Sequence, residues 1–153
     1  MTAPCWTQAE NSASEAEILA HLARCDARFE PPLSGRVELS AYAHRLCERA
    51  HRFEAWADDQ LVGLVAAYLD GADDTAFVSN VSVEDGFLGH GIASSLLTWA
   101  LERASITGLA RIQLYVGSSS VAARRLYEKH GFHACRVEGE QILMQRNLAG
   151  AVR

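Results

Sequence analysis

A glycine-containing segment at residues 88–93 (LGHGIA) has the residue types of an anion-binding site. Gly89 and Gly91 precede an apolar helical pattern that begins at Ile92, and a strand-like stretch at residues 81–83 comes before them. The first turn of a helix has about four backbone N–H groups without an intrahelical partner, and the helix dipole places roughly half a positive charge there. Because no Ser, Thr, Asp or Asn directly precedes Ile92 to cap these groups, the segment predicts a site for an anion such as phosphate.

The spacing within this segment argues against two common phosphate sites. The segment has no Lys followed by Ser or Thr, which a nucleoside-triphosphate loop requires. A dinucleotide-binding fingerprint needs a third glycine where this chain has Ser94, and it follows the first strand of a sheet rather than lying in mid-chain. An anion site of another kind and an ordinary structural turn remain equal alternatives at this point.

Potential metal ligands also occur at helical spacing. His44, Cys47 and His51 are three and four residues apart, which would place them on one face of a helix. Because no further ligand accompanies them, we interpret them as the border of an amphipathic helix, and no metal is expected. No CxxC pair occurs, so all the cysteines are expected to be reduced thiols: Cys5, Cys25, Cys47 and Cys135.

The elements that must position these residues follow from periodicity. Helices are predicted near residues 15–27 and 41–51, then strands at 53–57, 61–68 and 75–83, a long helix to about 107, a strand at 111–116, a fourth helix, and strands at 132–138 and 141–147. Residues 1–13 show no clear period. This order, with three strands before the long helix, predicts an α/β fold in which helices cover a mixed sheet.

Helix boundaries have their own signals. Ser14 and Glu17 have the spacing of a capping box for the first helix, and Ser40 is the predicted cap of the second. Pro31 is expected to lie in the loop between these helices. Phe53 is assigned to the apolar stripe of the second helix.

Composition limits the class of protein and its partners. A chain of 153 residues suits one domain, residues 1–153. The net charge is −5 and no basic run is present, so a nucleic-acid partner is not expected, and a cationic or neutral small molecule fits better. The chain has no apolar run of about 18 residues and no basic leader segment, which favours a cytoplasmic protein without a membrane partner. The oligomeric state stays open, with a homodimer among the alternatives.

A second motif, at residues 120–132, identifies a family when it is combined with the first. The family pattern N-x-x-A-x-x-x-Y-E-K-x-G-F is matched by Ala123, Tyr127, Glu128, Lys129, Gly131 and Phe132. In segment 88–93, Gly91 and Ala93 match the last two defined positions of the family loop R/Q-x-x-G-x-G/A. Over residues 35–147 the chain resembles the GCN5-related N-acetyltransferase (GNAT) family. The resemblance implies a mostly antiparallel sheet with one splayed parallel strand pair, and acetyl-CoA as the acyl donor.

The resemblance also implies which residues bind the donor. The pyrophosphate would lie on the backbone of Leu88, Gly89, His90, Gly91, Ile92 and Ala93, with Ser94 next to it. The pantetheine arm would pair with the strand edge at Val81, Ser82 and Val83, and Ser120, Ala123 and Arg124 would complete the cofactor site. Leu88 replaces the Arg or Gln of the family, and Ser120 replaces its Asn, so binding would depend on backbone donors and on cations of the fourth helix.

The resemblance implies the chemistry of an N-acetyltransferase. A primary amine of a small molecule or a peptide would attack the thioester directly through a tetrahedral intermediate, and Tyr127 would protonate the leaving thiolate. An amine with a pKa near 10.4 is neutral in only about one molecule in 2,500 at pH 7, so a proton acceptor is needed. Ser79 and Asn80 stand where several relatives carry Glu or Asp. The base therefore stays open among three side chains and a water chain, and the three are Glu84, Asp85 and Tyr115.

Two functions from different classes remain. The first is an active N-acetyltransferase, whose acceptor would approach past the first two helices and the loop at residues 138–141. The second is a non-catalytic acyl-CoA-binding sensor or scaffold, which the absence of a strand carboxylate and of a cation at Leu88 keeps open.

Overall fold

A seven-stranded sheet with helices on both faces forms the fold of residues 4–29 and 32–148, which are the residues described in this computed structural model. The strands are β1 (Thr7–Glu10), β2 (His51–Ala57), β3 (Gln60–Tyr68), β4 (Thr75–Val83), β5 (Arg111–Gly117), β6 (His133–Glu138) and β7 (Gln141–Asn147), and the α-helices are α1 (Glu15–Cys25), α2 (Leu39–Arg49), α3 (Ile92–Ser105) and α4 (Val121–Lys129). The strand order is β1-β2-β3-β4-β5-β7-β6. Every neighbouring pair is antiparallel except β4 and β5, so the predicted fold is confirmed.

Two apolar cores lie on opposite faces of the sheet. The α3 core contains the fully buried Leu96 and Leu97 of α3, and Tyr127 of α4 also packs in it. The α1–α2 core contains Ile18 and Leu22 of α1 with side chains of α2 and β3. Burying one side chain of this size stabilises a fold by roughly 1.5–3 kcal/mol, so these stripes are what fixes the helices to the sheet. None of the helices in the described ranges has the length and apolarity needed to span a membrane.

The helices and strands predicted from residue 15 onward are all present, but the first strand was missed. Strand β1 pairs antiparallel with β2, from Thr7 opposite Trp56 to Glu10 opposite Phe53. It is a four-residue edge strand without a fully buried side chain, and so it lacks the alternation by which strands are recognised. The capping box of α1 is confirmed by reciprocal hydrogen bonds between Ser14 and Glu17.

Three assignments around α2 need correction. Its cap is Glu38, whose carboxylate accepts from the backbone N–H groups of Ser40 and Ala41, so Ser40 is not the cap. Phe53 lies on β2 and packs edge-on against Trp99 of α3, with 5.2 Å between ring centroids, so it belongs to the α3 core. His51 is the first residue of β2 rather than part of α2. The expectation for Pro31 lies outside the described residues.

The two histidines among the potential metal ligands pair with different carboxylates. His44 pairs with Glu15 of α1 at 2.7 Å, and His51 pairs with Glu10 of β1. The described residues contain no cluster of metal-ligating side chains. The four cysteines are free thiols, as predicted.

Strand β4 changes the orientation of its side chains at Ser79. Val78 is opposite a β3 residue of the α3 core, whereas Asn80 is opposite Ala66 of the α1–α2 core. The register shift leaves Ser79 as the extra residue of a β-bulge. With strict alternation, residues 78, 80 and 82 would share a face. The bulge therefore turns Asn80 and Ser82 toward α1 and α2.

The parallel pair β4 and β5 separates along its length. Pairing covers only residues 75–77 of β4 and 111–113 of β5. Farther along, residues 78 and 80–83 pair with β3 alone, and residues 114–117 pair with β7 alone. The facing edges of the two strands are left without a strand partner, and a cleft opens between them.

Candidate active site

A cavity of about 530 Å³ occupies the cleft between β4 and β5 and extends under the segment between α1 and α2. Its wall includes residues 77–83 of β4, Tyr115, Val116 and Gly117 of β5, Ala122, Ala123, Leu126 and Tyr127 of α4, and Cys25, Arg28, Phe29, Leu33, Arg36, Val37 and Tyr42 from the α1–α2 side. One end of the cavity reaches Leu88 and Ala93 beside the glycine segment. The cavity thus connects the start of α3 with the α1–α2 side of the sheet.

The glycine segment has the geometry of an open helix N-terminus. Gly89 and Gly91 have φ angles of +78° and +76°, a conformation that side chains other than glycine rarely adopt. Gly91 is the residue that precedes α3, and no side chain caps the helix there. The first N–H groups of α3 therefore have no acceptor from a capping side chain, as the sequence predicted.

The predicted cofactor residues divide into two groups. Those that line the cavity are Val81, Ser82, Val83, Leu88, Ala93, Ser120 and Ala123. The others lie around it: Gly89, His90 and Gly91 are exposed, Ile92 is buried in the α3 core, Ser94 contacts His130 at 2.9 Å, and Arg124 donates to the Ser118 carbonyl.

Tyr127 lies on the cavity wall between α4 and β5. Its side chain is 7% exposed, and its ring packs edge-on against Phe132 with 6.0 Å between centroids. Burial raises the pKa of the Tyr127 phenol to about 12. Burial, with a smaller contribution from the Glu84 carboxylate, raises the pKa of the Cys25 thiol on the same wall to about 11. Burial thus keeps both the Tyr127 phenol and the Cys25 thiol in their neutral forms at neutral pH.

A chain of four buried polar side chains leads from the cavity wall to α1. His21 of α1 is fully buried, and its Nε2 lies 2.8 Å from Ser82 Oγ while its Nδ1 lies 2.9 Å from Glu84 Oε2. Ser82 Oγ is also 2.7 Å from Asn80 Oδ1. Ser82 and Asn80 both line the cavity. The bulge at Ser79 makes this contact geometrically feasible, because it turns both residues toward α1.

Glu84 has further partners that keep it charged. Arg24 Nε lies 2.8 Å from Glu84 Oε2, and Gln60 Nε2 donates to Oε1 at 2.8 Å. Burial alone would raise the pKa of Glu84, but the hydrogen bonds and charges of His21 and Arg24 outweigh it, and the pKa is held below its ordinary value. Glu84 is therefore an ionised partner for the His21 imidazole at neutral pH.

The other two base candidates have different surroundings. Asp85 is an exposed carboxylate that pairs with Arg28 at 3.1 Å, and the Tyr115 hydroxyl donates to Glu138 at 3.1 Å. Sequence reasoning missed His21 altogether. Its signal was a histidine on the apolar face of α1, one turn from Ile18, but its partner Glu84 is 63 residues away.

Tyr42 of α2 forms hydrogen bonds with Ser79, the extra residue of the β-bulge, from the α2 side of the cavity. Its hydroxyl lies 2.6 Å from Ser79 Oγ and donates to the Ser79 carbonyl at 3.0 Å. Burial raises the pKa of this phenol, whereas the hydrogen bond to Ser79 and the charge of Arg36 act in the opposite direction. Tyr42 thus remains a neutral donor that holds the bulge in place.

The fold agrees with comparisons to known proteins. A model of the acetyltransferase (GNAT) family matches residues 16–132. The chain therefore belongs to the GNAT family, whose members are acyl-CoA-dependent transferases. The uncharacterized N-acetyltransferase YvbK of Bacillus subtilis is 30% identical over 96 residues, which are 63% of this chain and 61% of YvbK. N-acetylaspartate synthetase of Rattus norvegicus is 33% identical over 96 residues, which are 63% of this chain and 32% of that protein. The chain thus matches less than two thirds of the length of these relatives.

Solved structures share the fold at low sequence identity. The ribosomal-protein-S18-alanine N-acetyltransferase of Escherichia coli has a TM-score of 0.74 at 19% identity, with 93% of this chain and 94% of that chain covered. The PaiA N-acetyltransferase of Thermoplasma acidophilum, solved in complex with coenzyme A, has a TM-score of 0.72 at 14% identity and covers 92% of this chain and 99% of its own. These similarities show that the fold is shared over nearly the whole length of the chain.

Proposed function

We propose that this protein is an N-acetyltransferase that moves an acetyl group from acetyl-CoA to a primary amine of a small molecule or a peptide. The observation that carries the proposal is the single cavity that joins the uncapped start of α3, the open edge of β4 and the buried hydroxyl of Tyr127. We further propose that residues 1–153 form one domain, with the catalytic groups on both faces of its sheet.

The residues around the cavity fit an acyl-CoA thioester. The uncapped N–H groups at Ile92 and Ala93 suit a pyrophosphate, and the unpaired edge of β4 at Val81 and Val83 suits an extended chain that carries amide groups. Leu88 offers no side-chain donor, so the affinity for the pyrophosphate depends on the backbone. When bound, acetyl-CoA supplies the acetyl group in thioester form.

Tyr127 is the proposed acid. Its hydroxyl keeps its proton at neutral pH because burial raises its pKa to about 12. A thiolate left in the same buried cavity is destabilised as well, and so it accepts that proton more readily than a thiolate in water would.

His21 is the proposed proton acceptor, and Ser82 is its link to the cavity. When Nδ1–H donates to the ionised Glu84 and Nε2 carries no proton, Nε2 can accept from the Ser82 hydroxyl at 2.8 Å, and this hydroxyl then no longer donates to Asn80 Oδ1. A proton released by the amine passes to Ser82 Oγ while the Ser82 proton passes to His21. The resulting imidazolium is balanced by Glu84.

The same atoms can hold the network after that transfer. With a proton on both ring nitrogens, His21 donates to Ser82 Oγ, and the Ser82 hydroxyl donates to Asn80 Oδ1 at 2.7 Å. The observed contacts therefore match the state in which both ring nitrogens of His21 carry a proton. In the neutral state the Ser82 hydroxyl turns to Nε2, and the Asn80 amide must rotate so that its N–H rather than Oδ1 faces Ser82 Oγ.

The proposed chemistry does not specify which amine is the acceptor. The names of the relatives point to different acceptors, since one is an N-acetylaspartate synthetase and another is the mycothiol acetyltransferase of Brachybacterium faecium. Because these proteins are matched over only about a third of their length or less, we do not transfer either acceptor to this chain.

Substitution of Tyr127 by Phe tests the proposed reaction. Tyr127→Phe removes the donated proton and keeps the packing against Phe132, so we expect turnover to fall about 10²-fold or more while acetyl-CoA affinity stays within about twofold. Turnover by thiol release and affinity by calorimetric titration separate the two effects. Because the raised pKa keeps the phenol protonated, wild-type turnover should show no decline from loss of this acid below about pH 10. Unchanged turnover in Tyr127→Phe would show that another group protonates the thiolate.

A further inference from the structure

The charge on the cavity wall is opposite in sign to the charge of the whole protein. Arg28 and Arg36 are the charged side chains on the wall, and no Asp or Glu of the described residues lines it. The chain as a whole has a net charge of −5. A positively charged wall attracts an anion and repels a ligand whose only charge is an ammonium group. The charge of the cavity wall therefore favours an anionic ligand, whereas the composition of the whole sequence favoured a cationic or neutral partner.

Arg28 is fixed at one side of the wall by two partners. Its Nε pairs with Asp85 Oδ1 at 3.1 Å, and its Nη1 donates to the carbonyl of Val83. Because Asp85 balances its charge, Arg28 contributes little net charge to the cavity.

Arg36 is the source of the unbalanced charge. In residues 4–29 and 32–148, its guanidinium has neither a hydrogen-bond acceptor nor an ion-pair partner, and the residue is exposed. Arg36 precedes α2 in the chain, and its positive charge lowers the pKa of the Tyr42 phenol. The Tyr42 hydroxyl in turn donates to the Ser79 carbonyl at the β4 bulge. The free guanidinium thus belongs to the α2 side of the cavity, whereas the proposed pyrophosphate site lies at the start of α3.

We propose that the acceptor is a primary amine that also carries a carboxylate, an amino acid or a close analogue, and that Arg36 binds the carboxylate. The inference rests on the proposed acetyltransferase function and narrows its substrate class. A guanidinium presents paired N–H donors that match the two oxygens of a carboxylate. Its positive charge also favours the neutral form of a nearby amine, which is the form that attacks.

Matched acceptors test the carboxylate directly. We would measure thiol release with glycine, L-alanine and β-alanine, each against its own carboxamide, using the wild-type protein. The carboxamides keep the primary amine, and in the α-amino pairs the amine is more often neutral, so a preference for the acids cannot come from amine reactivity. We expect kcat/KM for the preferred acid to exceed that for its carboxamide at least tenfold.

Substitution of Arg36 locates the carboxylate site. Arg36→Gln should lower kcat/KM for the acid about 10- to 100-fold, mainly through KM, and should leave kcat/KM for the carboxamide unchanged. Arg49→Gln removes the same charge from an exposed residue of α2 outside the cavity wall, and it should leave both values unchanged.

Three results would overturn the inference, and each has a different consequence for the proposed acetyltransferase function. Equal kcat/KM for acids and carboxamides would exclude the carboxylate and leave the acetyltransferase intact. A loss of acetyl-CoA affinity in Arg36→Gln, measured by calorimetric titration, would assign the guanidinium to the phosphates of the donor. Thiol release that is absent with every amine, including amino sugars and peptides, would remove the proposed function itself.

Discussion

Burial acts in the same direction on two acidic groups of the cavity, Tyr127 and Cys25. The pKa of the phenol is raised to about 12 and that of the thiol to about 11. Both groups therefore keep their protons at neutral pH, and Tyr127 retains a proton that it can donate to a thiolate released nearby.

The proton relay predicts a dependence on the basicity of the acceptor. Ser82→Ala removes the link between the cavity and His21 while leaving the imidazole and Glu84 in place. We expect turnover with an amine of pKa near 10 to fall about 10²-fold, and turnover with an amine of pKa near 7 to fall much less, because that amine is already half neutral. Thiol release with amines of graded pKa at pH 7 measures this slope.

The control for this prediction is Thr98→Ala, a loss of one hydroxyl from an exposed residue of α3 that lies outside the cavity. It should leave turnover unchanged with every amine. A Ser82→Ala variant whose loss is the same for all amines would indicate a structural role for the hydroxyl and would contradict the relay.

At the scale of the elements, the position of α3 depends on one close approach to the sheet. A Cβ at Gly63 of β3 would lie 2.8 Å from Ile92 Cγ2 and 3.2 Å from Ala55 Cβ. Ile92 is the first residue of α3, directly after the glycine segment. The absence of a side chain at Gly63 thus allows the helix start, and its free N–H groups, to sit at the end of the cleft.

Gly63→Ala should therefore affect both stability and donor binding. We expect a loss of about 1–3 kcal/mol in the free energy of unfolding from overpacking, with weaker acetyl-CoA binding because the start of α3 is displaced. Urea unfolding and calorimetric titration measure the two effects. Gly86→Ala is the matched control, since a Cβ there meets nothing within 4 Å and its φ is not in the left-handed region. Equal stability and affinity in the two variants would show that this contact does not position the helix.

The elements also show where sequence reasoning reaches its limit. The hairpin of β2 and β3 and the helix after the glycine segment were predicted because their patterns are local. The bulge at Ser79 was not, since it is visible only as a shift of register against β3. Without the bulge, Asn80 and Ser82 would be assigned to the wrong face of β4, and so the relay to His21 could not be foreseen.

At the scale of the whole molecule, the proposed chemistry uses both faces of the sheet. The acid Tyr127 packs in the α3 core, whereas the proposed base His21 lies under α1 on the other face. The cavity between β4 and β5 reaches Tyr127 directly and His21 only through Ser82. Family motifs could predict the first of these groups, because Tyr127 lies within a continuous pattern. Family motifs could not predict the role of His21 or the charge of Arg36 on the α2 side of the cavity. Both depend on residues that the fold brings together from α1, α2 and β4.

We propose above all that the cavity between β4 and β5 binds acetyl-CoA and that the protein transfers the acetyl group to a primary amine. The most direct test combines calorimetric titration with acetyl-CoA and thiol release across amino acids, amino sugars, polyamines and peptides, with the product identified by mass. We expect binding, release of one thiol per acetylated amine, and the highest rates with amines that carry a carboxylate. Binding without thiol release on any amine would favour a sensor or scaffold of the same fold, and a failure to bind acetyl-CoA would contradict both functions.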